Sequence, residues 1–148
     1  MGEWIKALGI DYGTVRIGLA VSDDLGFLAH PLETVSGEKL EAAVEKIAGI
    51  VEERRIEDVI IGLPLHLDGR EGKAVRRVRN FEEALKEKLP AETRWHEVDE
   101  RFTTAVAMDK LHAVGKNEKN SRQMIDQAAA VEILQRWLDE KAEGGWSG

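Results

Sequence analysis

Cysteine is absent from this 148-residue chain. That absence excludes a disulfide framework, a thiolate zinc site, an iron–sulfur cluster and a cysteine nucleophile. Long apolar runs are also missing, since the longest, Val59–Leu65, falls far short of the roughly 20 residues that span a bilayer. Basic charge is not in excess, because 21 Lys and Arg face 28 Asp and Glu. The net charge of −7 excludes a uniformly basic nucleic-acid wrapper, but it leaves room for a local basic surface.

The N-terminus lacks the pattern of a secretory signal, because Glu3, Lys6 and Asp11 interrupt its apolar stretch. We therefore expect a cytoplasmic protein with no membrane partner. The composition, 43% apolar and 33% charged, is typical of a globular protein, and the length suits one domain. We predict that this domain covers residues 1–142 and that the glycine-rich segment 143–148 is a flexible tail.

Hydrophobic periodicity predicts the element order β-β-β-α-β-α-β-α-α. The first two strands are close enough to pair as an antiparallel hairpin, and Pro31 restricts the third strand to a sheet edge. The apolar run 58–62 does not alternate, which is typical of a strand buried on both faces. The pattern predicts an α/β fold with a mixed five-stranded sheet and helices on both faces. Strands are predicted at 5–10, 16–22, 28–34, 58–62 and 93–98, and helices at 37–55, 73–89, 103–114 and 120–141.

Capping residues and apolar spacing give the predicted helices their ends and buried faces. Ser36 is predicted to cap the first helix, and Asn120 with Gln123 predicts a capping box for the last. The predicted buried stripe of the first helix is Leu40, Val44, Ile47 and Val51. That of the second is Ala74, Val78, Phe81, Leu85 and Leu89.

Several catalytic motifs are missing. Gly13 and Gly18 have the spacing of a phosphate-binding loop, but Leu19 stands where that loop requires a lysine. The four histidines show no zinc-hydrolase spacing, and each is interpreted as a surface or loop residue. No serine lies in a nucleophile elbow.

Carboxylates at the ends of elements remain as candidates for chemistry. Asp11 ends the first strand, Glu100 follows the last, and Asp126 lies near the start of the last helix. Sites form where strands end, so the three could meet there if the strands of Asp11 and Glu100 are neighbours. Grouped carboxylates repel one another, and a hard divalent cation such as Mg²⁺ relieves that repulsion. Two such ions can hydrolyse a phosphodiester without a side-chain nucleophile.

Each acid also has a structural interpretation. Asp11 fits a turn before Gly13, Glu100 fits an ion-paired strand end, and Asp126 fits the acidic first turns of a helix. Two basic blocks favour the phosphate hypothesis. Residues 69–80 hold five basic residues against one acidic residue, and residues 110–122 hold four against one. A solvated helix face explains the first block equally well.

Four segments in this order resemble the YqgF/RuvX family, and together they extend over nearly the whole chain: Gly9–Asp23, Gly62–Gly69, Asp99–Thr104 and Asp126–Gln135. The resemblance implies an RNase H-like fold. It also implies that Asp11, Glu100 and Asp126 are the catalytic acids and bind Mg²⁺, with Mn²⁺ as an alternative. Arg16 and Arg101 match family arginines that contact phosphate or pair with the acids. With the basic blocks, they complete the candidate nucleic-acid-binding set: Arg16, Arg101, Arg70, Lys73, Arg76, Lys116, Lys119 and Arg122.

The family resemblance implies a nuclease that matures the 5′ end of pre-16S ribosomal RNA, or a Holliday junction resolvase acting on branched DNA. Either would be a monomer or a homodimer, and a resolvase would be expected to be a two-fold dimer. Two further hypotheses stay open. One is a non-catalytic nucleic-acid-binding module of the same fold. The other is a sugar-kinase-like or actin-like ATPase, which needs two lobes where this chain has length for one.

Overall fold

The computed structural model describes residues 5–100 and 118–143, with the side chains of the last helix described from Asp126 to Ala142. The described elements are β1 (Ala7–Asp11), β2 (Arg16–Ser22), β3 (Ala29–Ser36), α1 (Leu40–Arg54), β4 (Asp58–Leu63), α2 (Lys73–Lys86), β5 (Arg94–Asp99) and α3 (Glu118–Glu143). All five predicted strands are present, displaced by no more than two residues at either end. The predicted helix 103–114 lies outside the described residues.

The sheet has the strand order β3-β2-β1-β4-β5. β1, β2 and β3 pair antiparallel, whereas β1, β4 and β5 run parallel. The predicted hairpin is confirmed, with Asp11 opposite Gly18 next to its turn. The predicted mixed five-stranded sheet is therefore confirmed. Because β1, β4 and β5 are parallel, their carboxyl ends lie at one end of the sheet.

β4 is buried along its whole length, as its unalternating sequence predicts. Its side chains point alternately to the two faces, where they join different cores. Val59 and Ile61 belong to the core formed with α1 and α2, and Ile60 belongs to the core formed with α3. The predicted helices on both faces are confirmed by these two cores.

β3 is an edge strand, as Pro31 predicts. Ala20 of β2 pairs with Pro31, whereas the preceding Leu19 pairs with Glu33, so the register shifts and Leu32 is an extra residue in β3. Proline has no N–H to donate to a neighbouring strand, so it is tolerated only in edge strands and at bulges. Pro31 meets both conditions, because it lies next to the register shift in the edge strand β3.

Some predicted helix details are wrong. α1 begins at Leu40 with Lys39 as its N-cap, and Ser36 instead accepts a hydrogen bond from the Glu38 N–H at 3.4 Å. Leu40, the first residue of the helix, is 42% exposed, whereas Val44, Ile47 and Val51 of the predicted stripe are buried. In the other helices, Val75 replaces the exposed Ala74 on the buried face of α2, and α3 begins at Glu118, so Asn120 lies inside it. Searched over the described residues, no helix combines the length and apolar character that crossing a membrane requires.

Candidate active site

Asp11 lies at the carboxyl end of β1, and Glu100 directly follows β5. The sequence suggested that they could meet if their strands were neighbours, but β4 lies between β1 and β5. Their side chains nevertheless share a hydrogen bond. The explanation lies in Gly62 of β4, which pairs with Val98 of β5.

Gly62 leaves the space through which Glu100 reaches Asp11. A Cβ atom on Gly62 would lie 2.6 Å from the Glu100 Cγ and 2.8 Å from its Cδ, closer than atoms can pack. The same Cβ would also lie 2.5 Å from the Ile133 Cδ1 of α3. Gly62 was missed as a site residue in the sequence analysis, although a glycine within an apolar strand is the signal for such close approach.

Asp126 reaches the same end of the sheet from α3. Gly18, opposite Asp11 in the hairpin, makes this approach possible, because a Cβ there would collide with the Asp126 main-chain carbonyl. On the other face, the ring of Tyr12, which follows Asp11, stacks on Phe81 of α2 with centroids 4.7 Å apart. Asp11 is thus held between helices that pack on opposite faces of the sheet.

The carboxyl groups of Glu100 and Asp126 both act on that of Asp11. Burial raises the pKa of Asp11 well above its usual value, and the hydrogen bond and charge of Glu100 and the charge of Asp126 raise it further. The cluster therefore concentrates negative charge in a poorly solvated place, where a proton or a cation is favoured.

Arg16 provides one such positive charge. Its Nε–H donates to Oδ2 of Asp126 at 2.8 Å, and the Asp126 side chain is 16% exposed. Burial raises the pKa of Asp126, and the hydrogen bond and charge of Arg16 offset only part of this rise. Arg16 was predicted to contact phosphate or to pair with the acids, and here it pairs with an acid.

The donor set is compatible with a divalent cation. Within the described residues, no three His, Cys, Asp or Glu side chains already stand as a metal-ligand set. The arrangement of the acids accounts for this, because Asp126 turns toward Arg16 while Asp11 is hydrogen-bonded to Glu100. The donors are all carboxylate oxygens, the ligands that Mg²⁺ prefers, and a cation would relieve their repulsion. The residues present therefore fit a magnesium or manganese ion.

The basic candidates differ in their surroundings. Arg70, in the loop before α2, forms an ion pair with Asp68 at 2.9 Å, whereas Lys73 and Arg76 are exposed on the first turn of α2. That turn contains no acidic residue. Arg79 was counted in the same basic block, but it pairs with Glu71 at 2.7 Å and Glu97 at 3.5 Å. Its charge is therefore already matched within the chain.

The remaining basic candidates cannot be placed in the site. Arg101 and Lys116 lie outside the described residues. Lys119 and Arg122 lie on α3, but the described side chains of that helix begin only at Asp126. Their contacts with nucleic acid remain predictions from the sequence.

His96 lies on the edge strand β5 with its side chain 30% exposed, and the structure gives it specific partners that the sequence did not predict. Its Nε2 lies 3.0 Å from the Asp58 Oδ1, and its ring is 4.7 Å from that of Trp137. Asp58 also accepts two hydrogen bonds from Arg94, at 2.9 and 3.0 Å. This cluster is at the amino end of the parallel strands, away from the carboxylates.

Comparison with known proteins gives consistent matches across the chain. The family described as "RuvX: Holliday junction resolvase" matches residues 5–140. A protein of Mycobacteroides abscessus named "Putative pre-16S rRNA nuclease" is 43% identical over 145 residues, which cover 97% of this chain and 86% of that protein. A protein of the same name from Corynebacterium jeikeium is 40% identical over 136 residues, covering 92% and 87%.

Solved structures share the fold at low sequence identity. The Fowlpox virus resolvase in complex with Holliday junction DNA has a TM-score of 0.59 at 10% identity, with 92% of this chain and 98% of that chain covered. The T. thermophilus RuvC in complex with a Holliday junction substrate has a TM-score of 0.53 at 17% identity, with 92% and 95% covered. These likenesses agree with the RNase H-like fold that the sequence resemblance implied.

Proposed function

This chain belongs to the RuvX family, and from that premise we propose that it is a divalent-metal-dependent endonuclease of structured nucleic acid, with pre-16S ribosomal RNA as its substrate. The observation that carries the proposal is that Glu100 and Asp126 both lie close enough to Asp11, at one end of the sheet, to act on its carboxyl group. The proposal is supported by two relatives that carry the name "Putative pre-16S rRNA nuclease" and that this chain matches over most of their length. A substrate of this kind would place the protein in the cytoplasm.

In this proposal the three acids hold Mg²⁺ or Mn²⁺. Asp11, which feels the charge of both other acids, would be shared between two ions, with Glu100 and Asp126 each holding one. When bound, such ions activate water and stabilise the leaving oxygen of a phosphodiester. The protein's part is to hold the carboxyl groups close together, through Gly62 beside Glu100 and Gly18 beside Asp126, so that a bound cation would favour their ionised form.

The basic side chains would bind the phosphate backbone. Lys73 and Arg76 project from the first turn of α2, which follows the loop leaving β4 at the carboxylate end of the sheet. Contacts of this kind give affinity that falls as salt rises. Arg101, by the family resemblance, and Lys116, Lys119 and Arg122, by the basic character of segment 110–122, would also bind phosphate.

A second candidate function, resolution of Holliday junctions, is favoured by the description of the family that matches residues 5–140. It differs from the first in substrate and in symmetry. A resolvase cuts two strands of a four-way junction in a paired manner, which is expected of a two-fold dimer. Pre-rRNA maturation needs only one active site.

One experiment tests both functions. Purified protein is incubated with a pre-16S rRNA fragment and with a four-way DNA junction, each with Mg²⁺ and with EDTA. We expect Mg²⁺-dependent cleavage of the RNA at its 5′ side, and loss of at least about 100-fold in rate for Asp11→Asn, because the shared ligand is removed. Asp24→Asn is the matched control, since Asp24 is exposed and pairs with Lys6 at the amino end of β1.

The possible outcomes separate the candidates. Cleavage of the junction alone favours the resolvase. Salt-dependent binding without cleavage in any divalent metal favours a non-catalytic module. If Asp11→Asn were as active as wild type, the assignment of Asp11 as a catalytic acid would be refuted.

A further inference from the structure

Leu67 is the most exposed large apolar side chain among the described residues, at 92%. It lies in the loop between β4 and α2, whereas the other exposed large apolar side chains range from 42% to 67%. A single exposed leucine is ordinary on a protein surface. Leu67 differs in two respects: its loop is held by hydrogen bonds, and that loop lies at the carboxylate end of the sheet.

The loop is held in shape by its own hydrogen bonds. The Gly69 N–H donates to the His66 carbonyl at 2.8 Å, and the His66 N–H donates to the Arg70 carbonyl at 3.0 Å. The Asp68 carboxylate accepts from the Arg70 N–H at 3.0 Å and from its Nε at 2.9 Å. Residues 66–70 therefore form a closed turn, and Leu67 lies within it with its side chain in solvent.

The turn is attached at the carboxylate end of the sheet. It follows β4, whose Gly62 contacts Glu100. Arg70 closes the turn, and the basic residues Lys73 and Arg76 follow on the first turn of α2, a turn that has no acid. The acids of the same segment, Asp68 and Glu71, are paired with Arg70 and Arg79. An apolar side chain beside basic ones suits a ligand that presents both an apolar surface and negative charge. Nucleic acid has this combination where a base is unstacked next to its phosphates.

We propose that Leu67 packs against an unstacked base at a duplex–single-strand boundary of the nucleic acid, while Lys73 and Arg76 bind the adjoining phosphates. This inference rests on the proposed function, and it adds the feature of the substrate that the site recognises. Leu67 is then a specificity residue. It selects a break in base stacking and so sets which phosphodiester lies near the acids.

The test uses an RNA duplex with a single-stranded 5′ extension and 2-aminopurine at the boundary, a base whose fluorescence rises on unstacking. The whole protein is titrated in EDTA, so that binding is measured without cleavage. We expect wild type to increase the fluorescence. Leu67→Ala should lose at least half of that increase and bind about 5-fold more weakly, because it removes three carbon atoms whose surface would be partly buried against the base. Leu67→Phe should keep both the fluorescence increase and the affinity, because phenylalanine also offers a large apolar surface.

Leu25→Ala is the matched control. Leu25 is 64% exposed but lies in the turn after β2, at the amino end of β1. A fully base-paired RNA duplex is the second control, on which Leu67→Ala should bind like wild type. The four-way junction with 2-aminopurine at its centre shows whether the same contact serves DNA.

Equal fluorescence and affinity for wild type and Leu67→Ala overturn the inference, and so does an equal loss for Leu25→Ala. Failure of the proposed function looks different. In that case wild type unstacks the base in EDTA but cleaves nothing in Mg²⁺, and the Leu67 contact stands. A wild type that binds neither nucleic acid overturns both proposals and directs attention to an acidic protein partner.

Discussion

Arg16, the first residue of β2, donates its Nε–H to Oδ2 of Asp126 in α3 at 2.8 Å, although 110 positions separate them in sequence. This ion pair links the hairpin to the helix at the carboxylate end of the sheet. A cation that binds Oδ2 of Asp126 would therefore compete with Arg16 for that oxygen.

Replacing Arg16 with Gln should therefore strengthen the binding of Mn²⁺ and lower the stability of the metal-free protein. We expect a loss of about 1 kcal/mol in the free energy of unfolding, since one charged hydrogen bond at a partly exposed site is removed. Calorimetric titration with Mn²⁺ and thermal melts with and without it measure the two effects. Lys6→Gln is the control, because the exposed Lys6–Asp24 pair at 3.6 Å should contribute almost nothing. Weaker Mn²⁺ binding by Arg16→Gln would show that Arg16 does not compete.

Asp11→Asn should stabilise the protein at neutral pH. Burial and the neighbouring acids raise the pKa of Asp11 in the folded state, so the folded protein holds a proton that the unfolded chain releases. This group therefore lowers stability as pH rises above the unfolded value near 3.9, and it costs nothing below that value. We expect a gain of at least about 1 kcal/mol at pH 7, or roughly 2 to 4 °C in Tm, which disappears near pH 3. A variant less stable than wild type at pH 7 would contradict the assigned repulsion.

Gly62→Ala should damage both the fold and the site. The added Cβ would meet the Glu100 Cγ at 2.6 Å and the Ile133 Cδ1 at 2.5 Å, so Glu100 must move away from Asp11. We expect a loss of about 1 to 3 kcal/mol from overpacking, together with a large fall in cleavage. Gly49→Ala in α1 is the matched control. It has no atom within 4 Å of the new Cβ and should gain up to about 1 kcal/mol from helix propensity. If Gly62→Ala cleaved as fast as wild type, the position of Glu100 next to Asp11 would not be needed for cleavage.

Asp58→Asn should reduce stability at neutral pH but not in acid. Burial alone would raise the pKa of Asp58, but hydrogen bonds and charges from His96 and Arg94 outweigh it and lower the pKa. The resulting stabilisation is present above the unfolded value near 3.9 and is lost as pH falls through the lower folded value. We expect a loss of about 1 to 3 kcal/mol at pH 7 that shrinks below pH 4. Denaturant melts of both proteins at pH 7, 5 and 3 measure it, and a constant difference would contradict the assignment.

Much of the fold could be predicted because each strand has a clear local signal. The unalternating run of β4 predicted its burial, and Pro31 predicted the edge strand. Asp11, Glu100 and Asp126 could be proposed because parallel strands and the helix packed on them end near one another. Their catalytic role remains a prediction.

Other features depend on tertiary contacts that have no local signal. The hydrogen bond between Asp11 and Glu100 passes over an intervening strand, and only the missing side chain of Gly62 allows it. Ser36 has the chemistry of an N-cap, but the chain does not turn into α1 until Leu40. The pairing of His96 with Asp58 could not be predicted, because the two residues lie 38 positions apart in the sequence.

β4 has different surroundings at its two ends. Near its start, the carboxylate of Asp58 is matched by an arginine and a histidine, and near its finish Gly62 offers no side chain at all. The ion-paired cluster at Asp58 and the grouped carboxyl groups near Gly62 therefore lie at opposite ends of one strand. Substitutions around Asp58 should consequently change thermal stability without disturbing the carboxyl groups at the other end of the strand.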